Sequence, residues 1–266
     1  MTKDGEMKSK FKLLFLLIIM CGSSVFGQLK YTFSQFGDET WDFIKQPTRW
    51  EGSDYLKIGV MGFLTYEIMM NYDQPIREDV LKDQRYFKSV PIVFGRMWGE
   101  LYSPVILFGG FAIHSLLTND IETRKIAYEI GQASLYAGAI NYILKVAIGR
   151  ARPYTDEGNT SFHPFSTLFN VDHQSMPGGH STAAFVLSTV LSRNAKPLWL
   201  KILAYVPAAL TFVSRIYQDQ HWTSDDFLGA AFGYFIATWV VDQHENNNST
   251  VGVSSVFPLS IRISLN

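Results

Sequence analysis

The 266-residue sequence has little cysteine, little charge and few long apolar runs. Each of these shortages argues against a class of fold, of partner or of membrane topology. Cys21 is the only cysteine, so a fold stapled by disulfides within one chain is excluded. Charged residues make up 18% of the chain and leave a net charge of −1, so nothing indicates nucleic acid or another polyanionic partner. Apolar runs such as 104–117 and 227–241 are shorter than the roughly 20 residues of a membrane-spanning helix.

The N-terminus has the three-part pattern of a secretory signal peptide. Lysines precede the apolar run Leu13–Met20, and small residues follow it as far as Gly27. We therefore predict a signal peptide over residues 1–27, cleaved after Gly27, with an uncleaved membrane anchor as the alternative. Lipid acylation of Cys21 is disfavoured because the preceding methionine is bulky where a small residue is expected.

Hydrophobic residues, at 47%, and aromatic residues, at 15%, are abundant enough to build a core. Their runs lack the alternation of strands and are separated by turn residues. This pattern predicts an all-α fold, a helical bundle of about six core helices with the active site at one end. The predicted helices span 55–72, 101–117, 126–148, 180–193, 198–216 and 224–241.

Four segments follow from these boundaries. The signal peptide is followed by an N-terminal segment over 28–54 and then by the helical domain over 55–243. Residues 244–266 form a C-terminal tail, which opens with a polar linker and ends in an alternating pattern that suits an edge strand.

Charged and polar residues gather where the predicted helices end and begin. Short loops make the last three helices antiparallel neighbours, which places their active-site residues at one end of the bundle. The group contains three cations, two histidines and one carboxylate: Lys145, Arg152, Arg215, His180, His221 and Asp225. Cations this close repel one another unless an anion lies between them. Phosphate suits the group, because arginine and lysine bind its oxygens and the amides of Gly178 and Gly179 can donate to it.

A histidine in such a site can act as a nucleophile. We predict that Nε2 of His221 attacks phosphorus, while Asp225, four residues later, holds Nδ1 and stabilises the charged ring. His180 is then the acid that protonates the leaving group. In this interpretation Arg215 holds the phosphate.

Three stretches carry a resemblance to a known family. KVAIGRARP spans Lys145–Pro153, PGGH spans Pro177–His180, and SRIYQDQHWTSD spans Ser214–Asp225. In order and in spacing, they resemble the three signature motifs of the type 2 phosphatidic acid phosphatase superfamily. The resemblance extends as a helical pattern over about residues 55–243.

The resemblance implies a metal-independent phosphatase that needs no cofactor. Lys145, Arg152 and Arg215 would bind phosphate, His180 would be the general acid, and His221 would form a phosphohistidine with Asp225 as its partner. The substrate would be a phosphomonoester or a pyrophosphate, and a lipid phosphate is favoured.

One departure from the family motif is Gly178, which stands where the family usually has serine. The missing hydroxyl would donate a hydrogen bond to phosphate worth roughly 1.5 to 3 kcal/mol, which the glycine amides would partly replace. This departure motivates one alternative, a catalytically weak protein that binds an anion or lipid. Another is a vanadium-dependent haloperoxidase, since vanadate resembles phosphate.

The predicted export bears on topology. If the chain after Gly27 is exported and all six helices span a membrane, the catalytic end lies in the cytoplasm, which does not suit an exported phosphatase. Either the first of these helices does not span the membrane, or the bundle is not fully transmembrane. We expect an exported enzyme of the periplasm or cell envelope, with association at the membrane surface or partial embedding left open.

Several polar residues match no motif. Asp219 and Asp226 are expected to be solvated, and Trp222 is expected to pack in the interior. No role is assigned to the remaining four histidines, His114, His163, His173 and His244. Substrate selectivity is expected to depend on the loop 154–176 and on residues 73–100.

Overall fold

The computed structural model describes residues 30–165 and 170–246. The predicted signal peptide and the tail beyond residue 246, including its predicted edge strand, lie outside the described residues. The chain groups into two compact units, one up to Trp41 and one from Asp42 onward. In the described part of the first unit, the Gln35 amide donates to the Glu39 carboxylate at 2.8 Å, one helical turn away.

The described residues are helical and contain no strand, which confirms the predicted all-α class. Arg150 and Phe162 form an isolated antiparallel bridge. In chain order, the α-helices are α1 (Phe33–Lys45), α2 (Gly52–Asn71), α3 (Asp73–Lys82), α4 (Val90–Trp98), α5 (Tyr102–Thr118), α6 (Ile121–Ile148), α7 (Gly179–Asn194), α8 (Leu198–Leu203), α9 (Val206–Tyr217) and α10 (Thr223–Asn246).

Each of the six predicted helices is present, but three differ in extent. Helix α6 begins at Ile121, five residues before its predicted start. The predicted helix 198–216 is interrupted at residues 204–205, so it forms α8 and α9. The last helix continues to Asn246, into the segment predicted as the tail.

Helices α1, α3 and α4 were not among the predicted six. Helix α3 is rich in charge, and both α3 and α4 carry a proline near their start, at Pro75 and Pro91. Proline is compatible with the first turn, where its missing N–H has no intrahelical partner to lose.

Two glycines set the close packing of α10 against α7. A Cβ atom on Gly229 would lie 2.2 Å from the carbonyl oxygen of Gly178, and one on Gly233 would lie 2.4 Å from that of Thr182. These glycines are four residues apart, so they lie on one face of α10. Their lack of side chains lets the start of α10 approach the start of α7.

The end of α6 is set by a glycine in the left-handed region. Gly149 has φ +63°, and its amide donates to the carbonyl of Lys145 at 2.9 Å. His163 donates its amide back to the Gly149 carbonyl at 2.7 Å. A Cβ on Gly149 would lie 2.0 Å from the His163 carbonyl oxygen, so this reversal of the chain requires glycine.

Backbone contacts then join the elements that carry the predicted site. The Gly178 amide donates to the Asp225 carbonyl at 2.7 Å, linking the starts of α7 and α10. The Trp222 indole is buried, as predicted, and donates to the Ala151 carbonyl at 3.0 Å, linking α10 to the segment after α6.

One stretch of the described residues is long and apolar enough by composition to cross a membrane. It is Leu198–Tyr217, which has a mean hydropathy of 1.3 and is 22% buried. Helices α4 and α5 pass the same test only as a pair bent by 68°.

Candidate active site

His221 lies in the turn between α9 and α10 and is only 2% exposed. Its Nδ1 atom is 3.4 Å from Oγ of Ser175 and 3.9 Å from Oδ2 of Asp225. The Ser175 hydroxyl donates to Oδ2 of Asp225 at 2.5 Å. The expected direct hydrogen bond from His221 to Asp225 is therefore replaced by a relay through Ser175, which leaves Nε2 as the ring nitrogen that can form a new bond.

Asp225 is held from the other side by Arg150. The Arg150 guanidinium donates to Oδ1 of Asp225 at 2.7 Å and to Oδ2 of Asp73 at 2.8 Å, and all three side chains are fully buried. Burial raises the pKa of Asp73, while Arg150 acts against this. Because Asp73 also accepts the Ser224 amide at 2.9 Å, it caps α10 from helix α3. The network fixes Asp225 in one orientation.

Lys145 reaches the site from the last turn of α6. Its Nζ donates to the carbonyls of Gln174 and Ser175, the latter at 3.2 Å, and the residue is 9% exposed. Burial and the neighbouring Arg152 lower the pKa of Lys145 to about 7. An anion in the site would favour the charged form of this lysine.

Arg215 and Arg152, the two other side chains predicted to bind phosphate, have N–H groups that can donate to an anion. Arg215 donates from one terminal nitrogen to the Gln218 side chain at 3.1 Å, whereas its buried Nε has no hydrogen-bond partner among the described residues. Arg152 donates to the carbonyls of Val171 at 2.9 Å and Gln220 at 3.2 Å. Within the described ranges, neither guanidinium forms an ion pair with a carboxylate. Both therefore remain available to an anion.

His180 faces His221, with ring centroids 6.1 Å apart. Burial, followed by the charges of Arg215 and Arg152, lowers the pKa of His180 to about 3. Burial and the surrounding cations also lower the pKa of His221 well below its usual value. Both rings are neutral near pH 7 while no anion offsets the cations.

A cavity of about 490 Å³ opens beside these groups. Its lining combines predicted site residues with side chains that the sequence pattern did not single out: Phe87, Arg96, Glu100, Arg152, Tyr154, Val171, His180, Arg215, Gln218 and Gln220. Glu100 lies 3.4 Å from Nε2 of His180. Both Arg96 and Glu100 fall in the segment 73–100, which was expected to influence selectivity.

Asp226 is fully buried, so the expectation that it is solvated was wrong. Its Oδ1 accepts the Ser181 hydroxyl at 2.8 Å, and its Oδ2 has no partner among the described residues. Burial raises the pKa of Asp226 well above its usual value. Asp219 was also predicted to be solvated, but its carboxylate pairs with Arg77 at 2.7 Å and is 19% exposed.

The position of Asp226 explains why residue 178 is glycine. A Cβ on Gly178 would lie 2.3 Å from Oδ1 of Asp226 and 3.0 Å from its Cα. The serine that is usual in the family motif would therefore fit here only if the Asp226 side chain moved. The Gly178 amide is occupied by the Asp225 carbonyl. Gly179 lies next to Lys145, since a Cβ on this glycine would be 3.5 Å from Cε of the lysine.

Of the six predicted side chains, Arg152, His180 and Arg215 line the cavity. Lys145, His221 and Asp225 are buried. The structure adds Ser175, Arg150 and Asp73, which the motif spacing did not identify. Arg150 lies inside the first motif, two residues before Arg152, and this position could have marked it as a candidate site residue. Nothing in the sequence indicated that it contacts two buried carboxylates.

Part of the chain matches a known family model. Residues 129–249 match the model of the PAP2 superfamily. They form a PAP2 superfamily domain. Every predicted site residue lies inside the PAP2 domain, whereas Asp73, Arg96 and Glu100 precede it.

Similar proteins include several phosphatases. This chain is 30% identical over 114 positions to a lipid A 1-phosphatase of Porphyromonas gingivalis, a match that covers 41% of this chain and 22% of that protein. A lipid A 1-phosphatase of Rhizobium etli is 28% identical, covering 70% of this chain and 82% of the relative. Lipid phosphate phosphatase 2 of Arabidopsis thaliana is 26% identical, covering 66% and 71%.

A solved structure shares the fold. It is a transmembrane PAP2-type phosphatidylglycerolphosphate phosphatase from Bacillus subtilis, with a TM-score of 0.50 and 18% identity, covering 78% of this chain and 100% of that one. At this identity the likeness supports the arrangement of helices alone.

Proposed function

We propose that this protein is a phosphoric ester hydrolase that removes phosphate from a lipid phosphate through a phosphohistidine on His221. The observation that carries the proposal is the pairing of a buried, oriented imidazole with arginines that lack a carboxylate partner among the described residues. The phosphatase names of the relatives support the same reaction class and favour it over a haloperoxidase.

The first step forms a bond between Nε2 of His221 and phosphorus while the bond from phosphorus to the leaving oxygen breaks. His180 gives its proton to that oxygen. Water then attacks phosphorus as His180 takes its proton, and the P–N bond breaks to release phosphate. Ser175 and Asp225 stabilise the ring charge that forms on His221.

His180 must be protonated to act as the acid, although its pKa is low in the free site. The cations that cause part of this lowering are the ones that phosphate neutralises. We infer that substrate binding raises the pKa of His180 and so supplies the acid only when the site is filled.

A lipid substrate suits the rim of the cavity. Phe87, Tyr154 and Val171 line the cavity beside the cations and remain 42%, 39% and 62% exposed. A substrate with an apolar body next to its phosphate would cover these side chains, whereas a small soluble ester would not. Together with the predicted signal peptide, this favours an enzyme of the cell envelope that is associated with the membrane.

Phosphate release tests the proposal. With EDTA present, the protein should release phosphate from a long-chain lipid phosphate and, with a higher KM, from an aryl phosphate. His221→Ala should abolish release, and Ser175→Ala should lower kcat by less than the roughly 10⁴-fold typical of losing a directly bonded orienting carboxylate.

The matched control is His114→Ala, which changes an exposed histidine of α5 and should leave release unchanged. Phe87→Ala should raise KM for the lipid but not for the aryl ester. Turnover of His221→Ala near the wild-type rate would rule out the phosphohistidine.

A further inference from the structure

The loop between α6 and α7 contains a second cluster of side chains, outside the phosphate cavity, whose atoms could bind a metal ion. Nε2 of His163 lies 2.7 Å from one carboxylate oxygen of Glu157, and Nε2 of His173 lies 3.0 Å from the other. The two imidazole rings are stacked, with centroids 3.9 Å apart and planes within 15°. One potential ligand atom from each of the three residues lies within 4.8 Å of the others.

Two imidazoles and one carboxylate are a donor set that binds zinc and similar divalent ions, with a further position left for water. Ligand bonds of about 2.0–2.2 Å place tetrahedral donor atoms roughly 3.3 Å apart. The present nitrogen-to-oxygen distances of 2.7 and 3.0 Å, one to each carboxylate oxygen of Glu157, are about 0.6 and 0.3 Å shorter than that spacing. The donors are therefore close to a metal-binding arrangement.

The surroundings of the cluster are also suitable. The side chains of Glu157, His163 and His173 are 35%, 38% and 18% exposed, so an ion can enter from solvent. The side-chain amide nitrogen of Asn170 lies 3.3 Å from Nδ1 of His173. Metal binding at Nε2 of His173 would therefore require the ring proton to reside on Nδ1 and the Asn170 amide to rotate.

The cluster is connected to the phosphate site by the backbone. The carbonyls of Val171 and Asp172, just before His173, accept hydrogen bonds from Arg152 at 2.9 and 2.8 Å. The carbonyls of the two residues after His173 hold Nζ of Lys145. A metal ion bound by Glu157, His163 and His173 would therefore link the segments that position Arg152 and Lys145.

We propose that Glu157, His163 and His173 bind one divalent ion of the zinc class, which links the described segments 149–165 and 170–178 and thereby fixes Arg152 and Lys145. The ion takes no part in the reaction at His221. The binding site stands on its own geometry, whereas its effect on catalysis rests on the proposed phosphatase function.

Metal binding by the purified, chelator-treated full chain is the direct test. Zn²⁺ titrated calorimetrically should bind with one equivalent, and Co²⁺ should give the visible absorption of a four- or five-coordinate ion. His163→Ala and His173→Ala should each weaken binding by at least about tenfold. His114→Ala and His221→Ala should bind as the wild type does, and equal binding by all the variants would overturn the proposal.

The wild-type protein also gives a test that does not depend on whether a variant folds. Zn²⁺ should raise the Tm of the chelator-treated protein by at least about 2 °C and protect the loop from proteolysis, and EDTA should reverse both effects. No change in either property would overturn the proposal.

Enzyme kinetics separate this proposal from the proposed function. Removing the ion should raise KM for phosphate esters severalfold with little change in kcat, because it loosens the binding cations and leaves His221 in place. Identical KM values with and without Zn²⁺ would refute the linking role. Zn²⁺ binding at the cluster by a protein that releases no phosphate would support the metal site and refute the phosphatase.

Discussion

Residue 178 illustrates how one side chain in this site depends on another. The family motif suggested that glycine here removes a useful hydroxyl. The structure shows instead that Oδ1 of Asp226 occupies the space that a side chain would need, 2.3 Å from the Cβ position. Gly178 and Asp226 are therefore a matched pair, and restoring serine at 178 by itself is expected to harm the protein.

Gly178→Ser should lower the free energy of unfolding by roughly 1–3 kcal/mol, the usual cost of overpacking a filled interior. Adding Asp226→Ala should recover most of this loss, because it removes the atom that clashes. Urea unfolding of the single and double variants measures the coupling.

Gly138→Ser is the matched control, since Gly138 lies in helix α6 with nothing within 4 Å of its Cβ position. The Gly138→Ser variant should have the same free energy of unfolding as the wild type. Equal losses in Gly178→Ser with and without the second change would show that Asp226 is not the obstacle.

At the scale of elements, a buried network joins three helices. Arg150 follows α6, Asp73 begins α3, and Asp225 lies in the first turn of α10. One guanidinium here balances two carboxylates that have no contact with solvent. Removal of the cation would leave buried charge without compensation, which is costlier than losing an exposed ion pair.

Arg150→Met should destabilise the protein by about 3–5 kcal/mol at pH 7. The loss should shrink as the pH falls toward 5. Burial already raises the folded-state pKa of Asp73, and removal of Arg150 raises it further, so acid neutralises this carboxyl in the folded protein before the unfolded one. Urea unfolding at both pH values measures the change.

Arg49→Met provides the comparison, because its pair with Asp42 is exposed at 43% and 45%. It should have little effect at either pH. A deficit in Arg150→Met that grows on acidification would contradict the assigned charges.

At the scale of the whole molecule, apolar side chains remain outside the core on several helices. In α5, Val105 and Leu117 are 61% and 79% exposed, and in α8 Leu198 is 72% exposed. Exposed apolar surface of this kind is typical of contact with a membrane or a partner protein. The lipid character of the proposed substrate favours a membrane.

The full-length protein should therefore sediment with membranes after expression. It should stay there in 1 M salt and be released by detergent, because apolar contacts do not weaken as ionic contacts do. Recovery of most of the protein in the soluble fraction, or its release by salt alone, would contradict this expectation.

The sequence by itself determined the helical class and the approximate positions of the long helices, and its motifs predicted the residues of the candidate site. Apolar runs and turn residues determine secondary structure over a few neighbouring positions. The spacing of the motifs places their residues at helix ends that lie together in the bundle. Only the tertiary structure placed Ser175 between His221 and Asp225, turned Arg150 toward Asp73, and put Asp226 against Gly178. These contacts join residues that are distant along the chain, and their distances depend on how closely helices pack, which local patterns do not encode.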